Sequence, residues 1–152
     1  MPELPVRSVN PATPAVSLVR VLALDYGAAR CGCALSDPTG TLATPLPHIE
    51  RPGTRRGLAR VADLVREREA ERVVVGLPLR LSGEDSAQTT ETRAWADKLA
   101  ERIRPVPVEL YDERFTTAIA ARGSRDAVSS EDSRAAAVLL EDWLALHGEA
   151  GL

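Results

Sequence analysis

The sequence predicts an α/β domain on a mixed five-stranded sheet, strand order 3-2-1-4-5, with helices on both faces. Three observations predict it. Three short apolar runs, at 19–25, 31–37 and 41–50, follow one another with no helical stretch between them. Two further runs, RVVVG at 72–76 and VPVELYDE at 106–113, each come after a segment with helical spacing. Connections of that kind return a strand parallel to its neighbour through a right-handed crossover, so the sheet begins antiparallel and continues parallel.

Each element has a local reason. Residues 1–17 hold four of the eleven prolines and show no period, which predicts a loose tail before a folded domain over 18–148 and a short tail at 149–152. VRVLALD (19–25) and CGCALSD (31–37) flank a Gly-containing turn and form a hairpin. TLATPLPHIE (41–50) is interrupted by proline and belongs at an edge. Thr54 is placed to cap a helix whose Leu58, Val61, Ala62 and Val65 share a face. Thr92, Trp95, Ala96, Leu99 and Ile103 mark a second helix, and Ala136, Leu139, Leu140 and Trp143 a third. Thr116 and Thr117 are placed to cap a helix after the fifth strand.

Bulk properties narrow the function. With 152 residues and 44% hydrophobic content the chain suits one domain with a full core. No run approaches 18 apolar residues and no signal-like segment opens the chain, so a cytoplasmic protein without membrane contact is expected. All but one of the 19 basic residues are arginine, the side chain whose planar fork grips phosphate, so a net charge of -3 does not exclude a nucleic-acid partner. Cys31 and Cys33 lie too close for a relaxed mutual bridge and lack partners for a zinc site; buried free thiols are expected, with an intermolecular disulfide as the other outcome. No phosphate-binding glycine loop of known type is present, and 3% aromatic content argues against a base-stacking platform.

The chemistry gathers at one rim. Ligands collect at the carboxyl ends of parallel strands, where Asp25 ends the first strand, Gly76 the fourth and Asp112-Glu113 the fifth. Asp132 continues the inward stripe of the last helix by one turn. Unpaired carboxylates at one place repel one another, and a hard cation held by oxygen ligands is the usual relief.

LDYGAARCGCALSD (24–37), VVVGLPLRLSGEDS (73–86), YDERFTT (111–117) and DSRAAAVLLEDWL (132–144) together resemble the YqgF/RuvX family, described as Holliday-junction resolvases and as pre-16S rRNA processing nucleases. The resemblance runs from Val19 to Leu146. It implies an RNase H-like fold and a hydrolase site using two Mg²⁺ or Mn²⁺ ions, with Asp25, Glu113 and Asp132 as catalytic metal ligands. It also implies nucleic-acid partners: precursor 16S rRNA, ribosomal assembly intermediates or branched DNA, met by a monomer or homodimer. The departures, Ala28 in place of a small hydroxyl residue and Arg80-Leu81 where Asn is frequent, touch no proposed ligand. In the expected strand order Asp25 and Glu113 start about 10 Å apart, two strand spacings, with Gly76 leaving the gap between them open.

Plainer readings stand beside these. Asp25 also suits hydrogen bonding to its own Tyr-Gly turn, Asp132 suits a helix start with Ser129, and Glu113 suits pairing with Arg114 or Arg30. Arg30 and Arg114 flank the acids and are candidates for holding phosphate. Arg55 and Arg56, clustered with Arg51 and Arg60, suit either a nucleic-acid track or a solvated charged face. Two other functions fit the same motifs: a non-catalytic RNA-binding assembly factor, and a phosphotransferase on the actin-like fold. The second normally takes two such domains, and this chain has room for one.

Overall fold

A computed structural model of the chain describes residues 19–115 and 131–150, with side chains over 19–114 and 133–147. The Pro-rich tail, the Thr116 and Thr117 cap, Ser129 and the side chain of Asp132 lie outside the described residues. The elements are β1 (Val21–Asp25), β2 (Arg30–Ser36), β3 (Ala43–Glu50), α1 (Arg55–Glu67), β4 (Arg72–Leu77), α2 (Ala87–Ile103), β5 (Val108–Asp112), a 3₁₀ turn (Glu113–Phe115) and α3 (Glu131–Ala150). The sheet order is β3-β2-β1-β4-β5, as expected. β1 pairs antiparallel with β2 and β2 with β3, whereas β1–β4 and β4–β5 are parallel.

β1 reads VLAL without polar alternation because both its faces are covered. Leu22, Leu24, Val73, Val75, Cys31 and Cys33 pack toward α1 and α2. Val21, Ala23, Ala34, Val74 and Tyr111 pack against α3 through Ala136, Leu139, Leu140 and Trp143. Neither cysteine forms a disulfide and both are fully buried, which leaves no exposed sulfur for an intermolecular bridge. Among the described residues β3 pairs with β2 alone, and it carries Pro45 and Pro47, as an edge strand tolerates.

Two caps fix where the helices begin. The Thr54 side chain accepts from the Gly57 N–H, and Ser86 with Thr89 closes a reciprocal capping box at α2. The fifth strand is shorter than its apolar pattern suggests. At its start the Val106 N–H still bonds Ile103 O, closing the turn after α2. At its end the Asp112 carboxylate accepts the backbone N–H of Arg114 at 2.9 Å, a side-chain turn that breaks the ladder. Glu113 therefore sits in the turn after β5 and not on the strand.

Candidate functional site

Alternation along three strands builds the site. Ala23 and Val74 face α3, so Asp25 and Gly76, two further on, fall on that side of the sheet at its carboxyl rim, and Glu113, in the turn after β5, reaches over Gly76. Leu24 is opposite Val75, so the next pair along is Asp25 and Gly76; Asp25 also pairs with Gly32 on its other flank. Both neighbours of this aspartate across the sheet are glycines. Gly76 in turn pairs with Tyr111, which places Glu113 just beyond it.

The consequence is direct contact between the acids. The carboxyls of Asp25 and Glu113 interact directly, close enough for each to influence the ionisation of the other. A Cβ on Gly76 would lie 3.0 Å from Glu113 Cγ and 3.1 Å from Cδ, and closer still to its carboxylate oxygen. The glycine is thus the space that Glu113 occupies. Burial pushes the Glu113 carboxyl up from its ordinary value; the Asp25 bond pulls it partly back, and the nearby Asp112 charge pushes it further up. An oxygen-only donor set with a carboxylate that resists ionising suits a hard divalent cation, whose charge would favour the ionised form. Asp25 and Glu113 fit as two ligands of such an ion.

Asp132 is the second residue of α3. The next residue holds that end of the helix in place: buried Ser133 donates through Oγ to Leu46 O at 2.5 Å and accepts from the Cys33 N–H at 3.2 Å. Ser133 carries no sequence mark of this tie, which depends on partners far along the chain. Among the described residues no point gathers three His, Cys, Asp or Glu side chains.

The four candidate arginines divide. Arg114 folds back on Asp112, with Nη2 at 2.7 Å from Oδ2 and Nε at 3.1 Å from both oxygens, and its Nη1 donates to Leu81 O at 3.1 Å. Asp112, not Glu113, is its carboxylate partner, and this pairing holds Asp112 below the usual carboxylate range. Arg30 is exposed at the start of β2, opposite Glu50. Arg55 and Arg56 open α1, which packs on the opposite face of the sheet from the acids. The structure joins Asp25 with Glu113 and keeps Arg114 beside them through Asp112; it does not bring Arg55 and Arg56 to the acids.

Tyr26, next to Asp25, turns to the α1 and α2 side. Its hydroxyl donates to Glu91 Oε2 at 2.7 Å, and its ring lies 4.7 Å from that of Trp95, whose Nε1 donates to Pro52 O at 2.9 Å. Burial, reinforced by Glu91, raises the phenol to about 12, so Tyr26 is a fixed anchor for the turn and not a proton donor or acceptor near neutrality.

The chain was compared with known proteins. A family model described as RuvX, Holliday junction resolvase, matches residues 19–146. A protein of Thermobifida fusca named "Putative pre-16S rRNA nuclease" is 46% identical over 138 residues, covering 81% of this chain and 85% of that protein. A Mycobacterium ulcerans protein of the same name is 42% identical over 132 residues, covering 82% and 78%. Among solved structures, Thermus thermophilus RuvC in complex with a Holliday junction substrate aligns with a TM-score of 0.55 over 86% of this chain and 96% of that one, at 19% identity, a likeness of fold. The sheet order, the two-sided helical cover and the match along nearly the whole folded region agree: the chain belongs to the RuvX family and has the RuvC-like RNase H fold.

Proposed function

We propose that this protein is a metal-dependent nuclease that hydrolyses phosphodiester bonds in structured nucleic acid, with Asp25, Glu113 and Asp132 as the ligands of Mg²⁺ or Mn²⁺. The single observation that carries the reading is the contact of Asp25 and Glu113 across the space left by Gly76. Two such ions, when bound, activate water and stabilise the leaving oxygen of an in-line displacement. The protein's own part is to hold the acids rigidly. Asp25 is fixed by the β1 ladders and by the Tyr26 anchor, and Glu113 by the Asp112 turn. Arg114, oriented by Asp112, and Arg30 are placed to receive the phosphate; Arg55 and Arg56 hold more distant parts of the chain. The names of the relatives support precursor 16S rRNA as substrate, in a cytoplasmic role in ribosome maturation, and the family description supports the four-way DNA junction.

Incubating the purified protein with precursor 16S rRNA and with a four-way DNA junction, in Mg²⁺ and in Mn²⁺, tests this beside Asp25→Asn. Cleavage of either substrate by the parent and not by the variant is expected. Binding without cleavage by the parent in both metals would favour a non-catalytic assembly factor.

A further inference from the structure

On the α1 side of the rim lie two hollows, of about 530 and about 580 Å³, each large enough for a nucleotide-sized group. The first begins at the residues that follow Asp25, with Tyr26, Ala28 and Ala29 on one wall and Gly53 and Glu91 on the other. The second runs along β3 and the start of α1, past Arg56 and Arg60. Arg51 and Thr54 line both. Their two carboxylates are already engaged: Glu91 by the Tyr26 hydroxyl, and Glu50 by His48 Nε2 at 2.9 Å.

Some arginines of the chain are paired with carboxylates and others are not. Arg66, Arg72, Arg93, Arg104 and Arg114 each meet a carboxylate, whereas the guanidinium groups of Arg51, Arg55, Arg56 and Arg60 have no partner among the described residues. Two of the four open α1, whose first turn carries no acidic residue, at the end of a helix where a cation is least welcome. Arg51 stands in a conformation that favours glycine, with φ 41°. Its backbone is locked there. Its N–H donates to Ala29 O at 2.8 Å, its carbonyl accepts from Thr54 N–H at 3.2 Å and from Thr54 Oγ1 at 2.8 Å, and a Cβ on Gly57 would collide with that carbonyl. An arginine set at a backbone angle that glycine would accept with less strain serves folding poorly and has its use in its side chain.

We propose that the two hollows form one track, joined at Arg51, that carries the sugar-phosphate backbone of a nucleic-acid strand from the turn after Asp25 past Arg56 and Arg60. The inference rests on the reading of the acid rim as a phosphodiesterase site, and it gives the path along which a strand leaves that site. Unpaired guanidinium groups in a row recognise successive phosphates and read neither base nor sugar. The shared ligand chemistry is therefore the phosphodiester chain of RNA or DNA.

The test is binding without cleavage. Labelled 12-nucleotide single strands of RNA and of DNA are titrated in EDTA at several salt concentrations with the full-length parent, Arg51→Gly, Arg51→Lys and the double variant Arg56→Gln/Arg60→Gln. Arg51→Gly should keep or raise the melting temperature while weakening binding on the order of fivefold and lowering the salt slope by about 0.7, one phosphate contact on a single strand. Arg51→Lys should retain the slope, and the double variant should lower it by about 1.4. Loss with either sugar supports the track. Affinity and slope equal to the parent's in Arg51→Gly and in the double variant, or no binding by the parent, would overturn it. Because no metal is present, failure of the track is read separately from failure of the acid site, which Asp25→Asn probes by cleavage.

Discussion

The two sides of the sheet's carboxyl rim carry opposite chemistry within a few residues of each other. On the α3 side carboxyls meet at Asp25 and Glu113; on the α1 side guanidinium groups gather at Arg51, Arg55, Arg56 and Arg60 with no carboxylate against them. The two clusters lie on opposite faces of the sheet. Arg72 and Arg93, by contrast, are paired with Glu109 and Asp85. On the proposed reading, the difference assigns a cation to one side of the rim and a polyanion to the other.

The largest break in that comparison comes from Glu113→Gln. It keeps length and shape but removes the charge that would hold a cation, so cleavage should fall on the order of a thousandfold while nucleic-acid binding persists. Asp112→Asn should cost less than about tenfold, because Asp112 acts through its partly exposed pair with Arg114. Equal losses in the two variants, measured under identical Mn²⁺ conditions, would make the acidic turn structural.

Gly76→Ala sharpens the claim that an empty strand position builds the acid side. Its Cβ would lie 3.0 Å from Glu113 Cγ, so the glutamate must move. A stability loss of about 1–3 kcal/mol from overpacking is expected, with cleavage reduced on the order of a hundredfold by the displaced ligand. Denaturant melts together with initial rates check both; full activity would show that Glu113 need not occupy that space.

The smallest effect belongs to the basic side. Arg55→Ala with Arg56→Ala should leave cleavage chemistry at saturating substrate unchanged, lower the salt slope of single-strand binding by roughly 1.4, and keep or slightly raise the melting temperature. A salt titration of binding and a thermal melt decide it. An unchanged slope would return these two residues to a plain solvated face.

The fold was legible because its signals are local. The unbroken apolar run of β1, the Tyr26-Gly27 turn, the prolines of β3 and the Thr54 cap each mark one element, and the crossover rule then orders the strands. The nearness of Asp25 and Gly76 was legible because both end neighbouring parallel strands; that Glu113 reaches over Gly76 from a turn after β5 was not. What stayed hidden depends on distant partners. The Asp112–Arg114 pair and its 3₁₀ turn shorten β5 below its apolar pattern. Tyr26 meets Glu91 across 65 positions, and Ser133 meets Leu46 across 87. Arg51 carries no mark of its left-handed backbone, since glycine or asparagine would announce such a position and arginine does not.

Calorimetry of Mn²⁺ binding to the metal-free protein, at pH 5 and at pH 8, tests the central claim most directly. The folded Glu113 carboxyl ionises above its ordinary value of 4.5. A proton on it therefore favours the folded state at low pH, and that contribution is lost as pH rises through the raised value. A cation held by the ionised carboxyls should bind more tightly at pH 8 than at pH 5, release protons at the lower pH, and raise the melting temperature more at the higher one. Glu113→Gln should abolish most of that binding. No heat and no melting shift in the parent at either pH, or binding undiminished in Glu113→Gln, would contradict the account.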